Sequence, residues 1–364
     1  MIPFLNLASS YASSKEAIDE ALRRVAASGW YLLGEELQTF EAEYARFCSA
    51  QNCVGLANGL DALHLGLRAL GVGEGDDVIV PSNTYIATWL AVTHCGARVV
   101  PVEPIKSTYN LDPAAVKEAI TPRTKVILPV HLYGQPADMD PINAMARSRG
   151  LKVLDDCAQA HAATYKGRPV GSLADLSAWS FYPGKNLGAF GDAGAITSDD
   201  SFAAERVRVL GNYGSRIKYH NEVKGFNSRL DELQAAVLAA KLAGLPRATA
   251  LRRSIAARYI SGMQGLALVL PHVPLFAEPA WHLFVVRHAD RDGLQKRLAQ
   301  HGIATLIHYP VPPHLQPAYA EMGWKPGRFP VAEAMHAEVL SLPIWPGMED
   351  AMVEQVIDAV RVCA

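Results

Sequence analysis

No stretch of this 364-residue sequence stays apolar long enough to cross a bilayer, and its opening, Met1-Ile2-Pro3-Phe4-Leu5-Asn6, has no basic segment leading into an apolar one. Nothing therefore suggests a membrane span or a secretory leader, and the chain is expected to act in the cytoplasm. Cysteine is scarce and odd in number. Cys48, Cys53, Cys95, Cys157 and Cys363 show no paired Cys-x-x-Cys spacing, which speaks against a disulfide framework and against a zinc site. They read as small buried apolar residues. Basic runs are missing too: 34 Lys and Arg stand scattered against 36 Asp and Glu, for a formal net charge of −2. Neither nucleic acid nor a membrane is thus expected as a partner. Internal repeats and low-complexity tracts are also lacking.

What the sequence has is apolar substance. Half of its residues are hydrophobic, enough for one large core and a smaller second one. Helical spacing of apolar residues predicts helices over Lys15–Ala27 and Glu35–Phe47, separated by Gly29-Trp30-Tyr31-Leu32-Leu33-Gly34. Short β-branched or apolar runs follow at Val54–Leu56, Val78–Val80, Val99–Val102, Val126–Val130, Val153–Asp155, Leu176–Phe181 and Ala195–Thr197. Helical segments such as Ile86–Cys95 and Met139–Arg149 separate most of them, which predicts an α/β fold whose largely parallel sheet is covered on both faces.

The texture changes near Leu230. An Ala-rich helix, Asp231–Leu242, ends at Gly244-Leu245-Pro246, which places a boundary between a large α/β domain, 1–243, and a smaller C-terminal α+β domain, 244–364. The latter should hold a strand over Leu283–Arg287, a helix over Arg291–His301, a proline-rich stretch from Tyr309 to Pro317 and a final helix, Asp350–Val362.

Three places in the large domain carry chemistry. The first is Ser180-Phe181-Tyr182-Pro183-Gly184-Lys185-Asn186-Leu187-Gly188-Ala189-Phe190-Gly191-Asp192-Ala193-Gly194, a glycine-rich turn directly after a buried strand. A lysine among small and aromatic residues is poorly hydrated, which lowers its pKa and frees the amine for bonding to a carbonyl. An ion pair of Lys185 with Asp192 is the plainer reading. The second is Asn58-Gly59-Leu60-Asp61, where N–H groups at a helix start could receive a phosphate, or where Asn58 simply caps an ordinary turn. The third is Asp155-Asp156-Cys157-Ala158-Gln159-Ala160-His161, directly after a strand, at the edge where α/β sheets gather ligands. One of the two aspartates is a candidate partner for a protonated pyridine nitrogen. A helix cap, or a metal site using His131 and His161, is the competing reading, although no metal-ligand spacing supports the metal.

Lysine, acid and phosphate cradle together point to pyridoxal 5'-phosphate. Asp156-x-x-Gln159, the segment Phe181 to Gly194, and Gly225-Phe226-Asn227-Ser228-Arg229-Leu230-Asp231-Glu232-Leu233-Gln234-Ala235-Ala236 resemble the DegT/StrS family of nucleotide-sugar aminotransferases over nearly the whole chain. The resemblance implies a fold-type I, aspartate aminotransferase-like architecture. It also implies roles. Lys185 would be the Schiff-base lysine and proton shuttle, Asp156 the partner of the pyridine nitrogen and Gln159 the neighbour of the phenolic oxygen. Tyr85 would stack on the ring, and Gly59, Leu60 and Ser180 would hold the phosphate, joined by Asn227 of a second subunit. A homodimer with shared sites follows. Many members read Ser-Gly-Thr where this chain has Asn58-Gly59-Leu60, so one hydroxyl contact is replaced while backbone donors remain.

Further implications of the resemblance are L-glutamate as amino donor, a nucleotide-linked keto sugar as acceptor and ping-pong order through one pocket. Tyr182, Tyr219, His220, His308 and Tyr309 are candidates for contacts to the sugar nucleotide. Tyr182 stands where many relatives acting at carbon 4 have histidine, and the chain resembles the subgroup acting on dTDP-3-keto-6-deoxyhexoses. The expected product is a dTDP-3-amino-3,6-dideoxyhexose. Amination at carbon 4 and a non-catalytic regulator that keeps the fold are the alternatives; near-neutral charge and a complete set of catalytic residue types count against the second.

Overall fold

The computed structural model describes residues Met1–Ala364. Its strands are β1 (Asn52–Leu56), β2 (Asp77–Pro81), β3 (Arg98–Val102), β4 (Thr124–Ile127), β5 (Lys152–Asp156), the two-residue β6 (Thr164–Tyr165) and β7 (Arg168–Pro169), β8 (Leu176–Ser180) and β9 (Gly194–Ser198). The main sheet has seven strands in the order β1-β9-β8-β5-β4-β2-β3. β3, β2, β4, β5 and β8 pair in parallel, and β9 runs antiparallel to β8 and β1. This is the largely parallel sheet that the alternating pattern predicts.

Alternation along each strand divides the core into two layers. Val78, Val80, Leu154, Ala178 and Ile196 join one buried cluster, whereas Ile79, Val153, Trp179 and Ala195 join another on the opposite face. Helix Gly59–Ala69 lies on the first face. Helices Glu35–Phe47, Met139–Arg149 and Glu232–Leu242 lie on the second. Side chains that were apolar on both faces of the strands are what such a sandwich requires.

Several element ends are settled by long-range groups. Helix Glu35–Phe47 starts at Gly34, which has no side chain to cap it. The buried Glu232 carboxylate accepts instead from the N–H groups of Gly34 (2.8 Å), Glu36 (2.9 Å) and Leu37 (3.3 Å), satisfying donors that the first turn leaves free. Glu103 does the same for helix Pro330–Glu338, accepting from Val331 and Ala332 while also receiving the Ser82 hydroxyl. The strand expected over Val126–Val130 stops at Ile127, because Pro129 has no N–H to donate. A single bridge from Val130 to Asp156 continues the pairing.

Beyond β9 come helix Ser201–Gly211, the hairpin of β10 (Ser215–Ile217) and β11 (His220–Asn221), and helix Leu245–Gly262. Strand β12 (Ala277–Glu278) pairs with β6, and β13 (Phe284–Arg287) pairs antiparallel with β14 (Val339–Leu342). A third buried cluster surrounds the last pair and includes Ile255, Tyr259, Leu294, Leu298, Val356 and Val360. Ile2 belongs to it, its N–H donating to Gly302 at 2.8 Å. The proline-rich stretch contains only short 3-10 turns, Pro313–Leu315 and Pro317–Met322. No helix is long and apolar enough to cross a membrane.

Candidate active site

Two neighbouring parallel strands, β5 and β8, end side by side, with Asp156 paired opposite Ala178. Asp156 closes β5, and the Lys185 turn follows β8. The backbone of Asp156 is pinned to the adjacent segment: its N–H donates to Pro129 at 2.8 Å and its carbonyl accepts from His131 at 3.0 Å.

Lys185 sits in a turn tied at both ends, with Phe181 N–H to Ala193 and Ala189 N–H to Phe181, both 2.8 Å. A side chain at Gly188 would run into the Pro183 carbonyl, so the turn can close this tightly only on glycine. The Lys241 ammonium donates to the Gly188 carbonyl and braces the turn from helix Glu232–Leu242. Crowding around the Lys185 amine lowers its pKa to about 8, and Asp156 is the only carboxylate that opposes the shift. Asp192 does not act on it. The reading of Lys185 as a loop-edge ion pair with Asp192 is thereby set aside.

Strand pleating sends the two aspartates apart. Asp155 is fully buried, and its Oδ2 lies 3.0 Å from His131 Nε2. His131 Nδ1 accepts the Ala137 N–H at 2.9 Å, so the other nitrogen carries the proton and donates to Asp155. His131, Asp155 and Cys157 are close enough to share an ion, but both ring nitrogens are committed to protein partners. His161, the other histidine of the metal reading, packs instead against Trp179 and Phe181. Asp156 faces Lys185. Its Oδ1 accepts the Ala158 N–H at 3.1 Å and its Oδ2 the Thr88 hydroxyl at 3.0 Å. Burial raises its pKa, while the Ala158 N–H, Lys185, Thr88 and His131 hold it down.

Gln159 is oriented by two contacts. Its Oε1 accepts the Tyr133 N–H at 2.5 Å and its Nε2 donates to the Tyr309 hydroxyl at 3.1 Å. The Tyr309 ring lies 5.1 Å from that of Tyr85, which is half exposed. His308 adjoins them: its carbonyl accepts from the Tyr133 hydroxyl at 2.6 Å, and Nδ1 lies 2.8 Å from the Ser341 hydroxyl. Burial, aided by Lys185, lowers its pKa to about 4. His308 is therefore neutral and adds no charge to the pocket.

Helix Gly59–Ala69 points its start at the same place. Asn58 caps it through Asp61 N–H at 2.8 Å, as an ordinary turn would, but the N–H groups of Gly59 and Leu60 have no acceptor in the chain. A Cβ on Gly59 would stand 2.6 Å from the Cβ of Ser180. The missing side chain thus leaves a cradle of two free N–H groups beside a serine hydroxyl, a cradle that suits a phosphate. Lysine amine, buried acid, the half-exposed Tyr85 ring and phosphate cradle fit pyridoxal 5'-phosphate.

Tyr182 is 59% exposed and Tyr219 85% exposed. Tyr219 and His220 sit on the β10–β11 hairpin and are not brought to the Lys185 cluster of their own chain. Asn227 is likewise exposed, its Oδ1 accepting from Arg229 at 2.7 Å. Three residues near the cluster escaped the sequence reading. Asn186 Nδ2 donates to Ala280 at 2.9 Å and its Oδ1 lies 3.3 Å from His282 Nδ1. Burial and then Lys185 hold His282 well below the usual histidine range. Thr88 bonds Asp156. Asn186 adjoins Lys185 and Thr88 follows Tyr85 by three residues, whereas His282 has no such signal in the sequence.

Comparison with known proteins places this geometry. Residues 12–361 match the DegT/DnrJ/EryC1/StrS aminotransferase family. The dTDP-3-amino-3,4,6-trideoxy-alpha-D-glucose transaminase of Streptomyces venezuelae is 53% identical over 361 residues, covering 99% of this chain and 95% of that protein. The dTDP-3-amino-3,6-dideoxy-alpha-D-galactopyranose transaminase of Aneurinibacillus thermoaerophilus is also 53% identical, over 99% of both chains. The crystal structure of S. venezuelae DesV superposes with a TM-score of 0.98 at 53% identity, covering 99% of this chain and 98% of that one.

Proposed function

The chain belongs to the DegT/DnrJ/EryC1/StrS aminotransferase family, and from that premise we propose that it moves an amino group from L-glutamate to carbon 3 of a dTDP-3-keto-6-deoxyhexose. The products are a dTDP-3-amino-3,6-dideoxyhexose and 2-oxoglutarate. The observation that carries this reading is the single cluster of Lys185, Asp156 and the Gly59–Ser180 cradle. It stands in a chain 53% identical to two transaminases whose names both specify a 3-amino sugar.

Gly59, Leu60 and Ser180 would hold the phosphate of pyridoxal 5'-phosphate, Tyr85 its ring face, Gln159 its phenolic oxygen and Asp156 its ring nitrogen. Bound there, that group supplies an electron sink for the charge left when a proton leaves the carbon bearing the nitrogen. The rest is the work of this chain. Lys185 Nζ, with its pKa lowered to about 8, can accept a proton and return it near neutral pH. Asp156 beside it, in its charged form, would keep positive charge on the ring nitrogen; burial works against that form, and the Ala158 N–H, Lys185 and the Thr88 hydroxyl work for it. Gln159, its amide fixed by Tyr133, presents an N–H donor. Tyr309 and the neutral His308 line the approach, and with Tyr182 we assign them to orienting the sugar so that carbon 3 meets the amine.

Asn227, Tyr219 and His220 are exposed, and we assign all three to the site of a second copy. The enzyme is then a homodimer with two shared sites. The smaller domain, for which we propose residues 244–364, contributes His308 and Tyr309. A nucleotide-linked substrate suits an enzyme of the cytoplasm. The test is amino transfer from L-glutamate to a panel of dTDP-keto sugars, with the new C–N bond located by NMR. Amine at carbon 3 is expected, and transfer to none of the panel would overturn the reading.

A further inference from the structure

The Asp156 carboxylate is buried, and its two oxygens receive one protein hydrogen bond each: Ala158 N–H on Oδ1 at 3.1 Å and the Thr88 hydroxyl on Oδ2 at 3.0 Å. An ionised carboxylate only accepts, so Thr88 must be the donor. A hydroxyl has a single hydrogen. Thr88 has spent its own on Asp156, and the Thr84 hydroxyl, 2.9 Å from it, must therefore donate to Thr88. Thr84, Thr88 and Asp156 form a chain of hydrogen bonds with one direction, all three residues buried.

We infer that Thr88, backed by Thr84, is a positioning residue for the reaction, holding the Asp156 carboxylate in its charged form and in one orientation. The inference rests on the proposed role of Asp156. Nothing in helix Ile86–His94 requires a threonine there. Its start at Tyr85 has no side-chain cap, and the Thr88 hydroxyl, rather than turning back to the local backbone as first-turn hydroxyls often do, reaches across to another strand. The titratable side chains acting on Asp156 are Lys185 and His131. Neither is within hydrogen-bonding distance of it, so Thr88 is the only side chain that fixes its direction.

The consequence concerns where a proton rests. Between a buried carboxylate and a pyridine nitrogen, each donor on the carboxylate favours its charged form and leaves the proton on the ring. Without the hydroxyl, Asp156 keeps one donor in a poorly solvated place, and the proton moves toward the acid. The ring then loses positive charge and withdraws electrons less well. The same turn bears Tyr85, so ring face and ring nitrogen are referenced to one piece of backbone. Threonine at 84 and 88 thus joins two functions that sequence spacing shows only as neighbours.

The test uses the full-length chain loaded with pyridoxal 5'-phosphate labelled with ¹⁵N in the ring. In Thr88→Val the ring-nitrogen resonance should move toward its unprotonated position. kcat should fall about 10-fold, the value of one buried hydrogen bond, with KM for L-glutamate within about twofold. Thr88→Ser should match the wild type in both readouts, and Thr84→Val should show a smaller shift. A wild-type resonance in folded Thr88→Val overturns the inference, as does a Thr88→Ser variant that fails like the valine. Should Thr88→Val not fold, an unmoved resonance in Thr84→Val overturns it equally. Asp156→Asn separates the two levels. If it moves the resonance while Thr88→Val does not, the role of Thr88 falls alone; if it leaves the resonance unmoved, the assignment of Asp156 falls and takes this inference with it.

Discussion

Gly59 and Ser180 meet at a distance that only a missing side chain permits: a Cβ on Gly59 would lie 2.6 Å from the Cβ of Ser180. One residue opens a helix and the other ends β8, so their contact is where helix start and strand end are locked into a single cradle. Gly59→Ala must push the two apart. The expected result is a loss of roughly 1–3 kcal/mol of stability from overpacking, together with at least a tenfold weaker hold on pyridoxal 5'-phosphate. Equilibrium denaturation and cofactor fluorescence measure the two. Unchanged cofactor affinity in the alanine variant would remove the cradle from the phosphate site.

Lys185 makes a pH prediction whose sign can be worked out. Burial lowers its pKa from the usual lysine value to about 8, so the folded chain releases this proton earlier than the unfolded chain does. The cost of burying the charge is present below about 8 and relieved between there and 10.5, so Lys185 makes the cofactor-free protein more stable as pH rises through that window. The rate at which pyridoxal 5'-phosphate forms a borohydride-reducible link should rise with pH and reach half its plateau near 8. Lys185→Ala should fold and form no such link. A link that persists in that variant identifies another lysine.

Shared sites can be tested by mixing. Lys185→Ala and Asn227→Ala chains are each expected to be inactive. A heterodimer of the two places both lesions in one site and leaves the other whole. Random exchange makes half of the dimers hybrid, each with one good site of two, so about a quarter of wild-type activity should return. No recovery after demonstrated subunit exchange counts against a site built from two chains.

Glu232 is a stability prediction free of the active site. Its buried carboxylate accepts three N–H groups at the start of helix Glu35–Phe47. Glu232→Ala leaves them without a partner and should cost about 2 kcal/mol, read as a lower denaturation midpoint. Glu232→Gln, which keeps one acceptor oxygen, should lose less. Equal losses in both variants would show that the side chain acts by volume alone.

Regiochemistry gives the last prediction. Offered a 3-keto and a 4-keto dTDP-6-deoxyhexose in competition, the enzyme should consume the 3-keto sugar at least tenfold faster if, as proposed, Tyr182, His308 and Tyr309 choose the orientation of the ring at the lysine. Tyr182→His should narrow that preference. Preferential amine formation at carbon 4 by the wild type would reassign the substrate and leave aminotransfer untouched.

The sequence alone determined whatever depends on neighbours along the chain. Helical periodicity matched helices Glu35–Phe47 and Met139–Arg149 to their ends, and apolar runs located the sheet strands, because burial on a helix or strand repeats within a few residues. Lys185 was legible for the same reason, its glycine-rich turn being one continuous segment. The tertiary structure decided what depends on residues far apart. Asp155 and Asp156 are equal as text; the pleat of β5 and its neighbours gave one to His131 and turned the other toward Lys185. Glu103 caps a helix that begins more than two hundred residues later, and Tyr309 meets Gln159 across 150 residues of chain. Such pairings come from packing apolar faces whose partners carry no local mark, so only the assembled layers could select them.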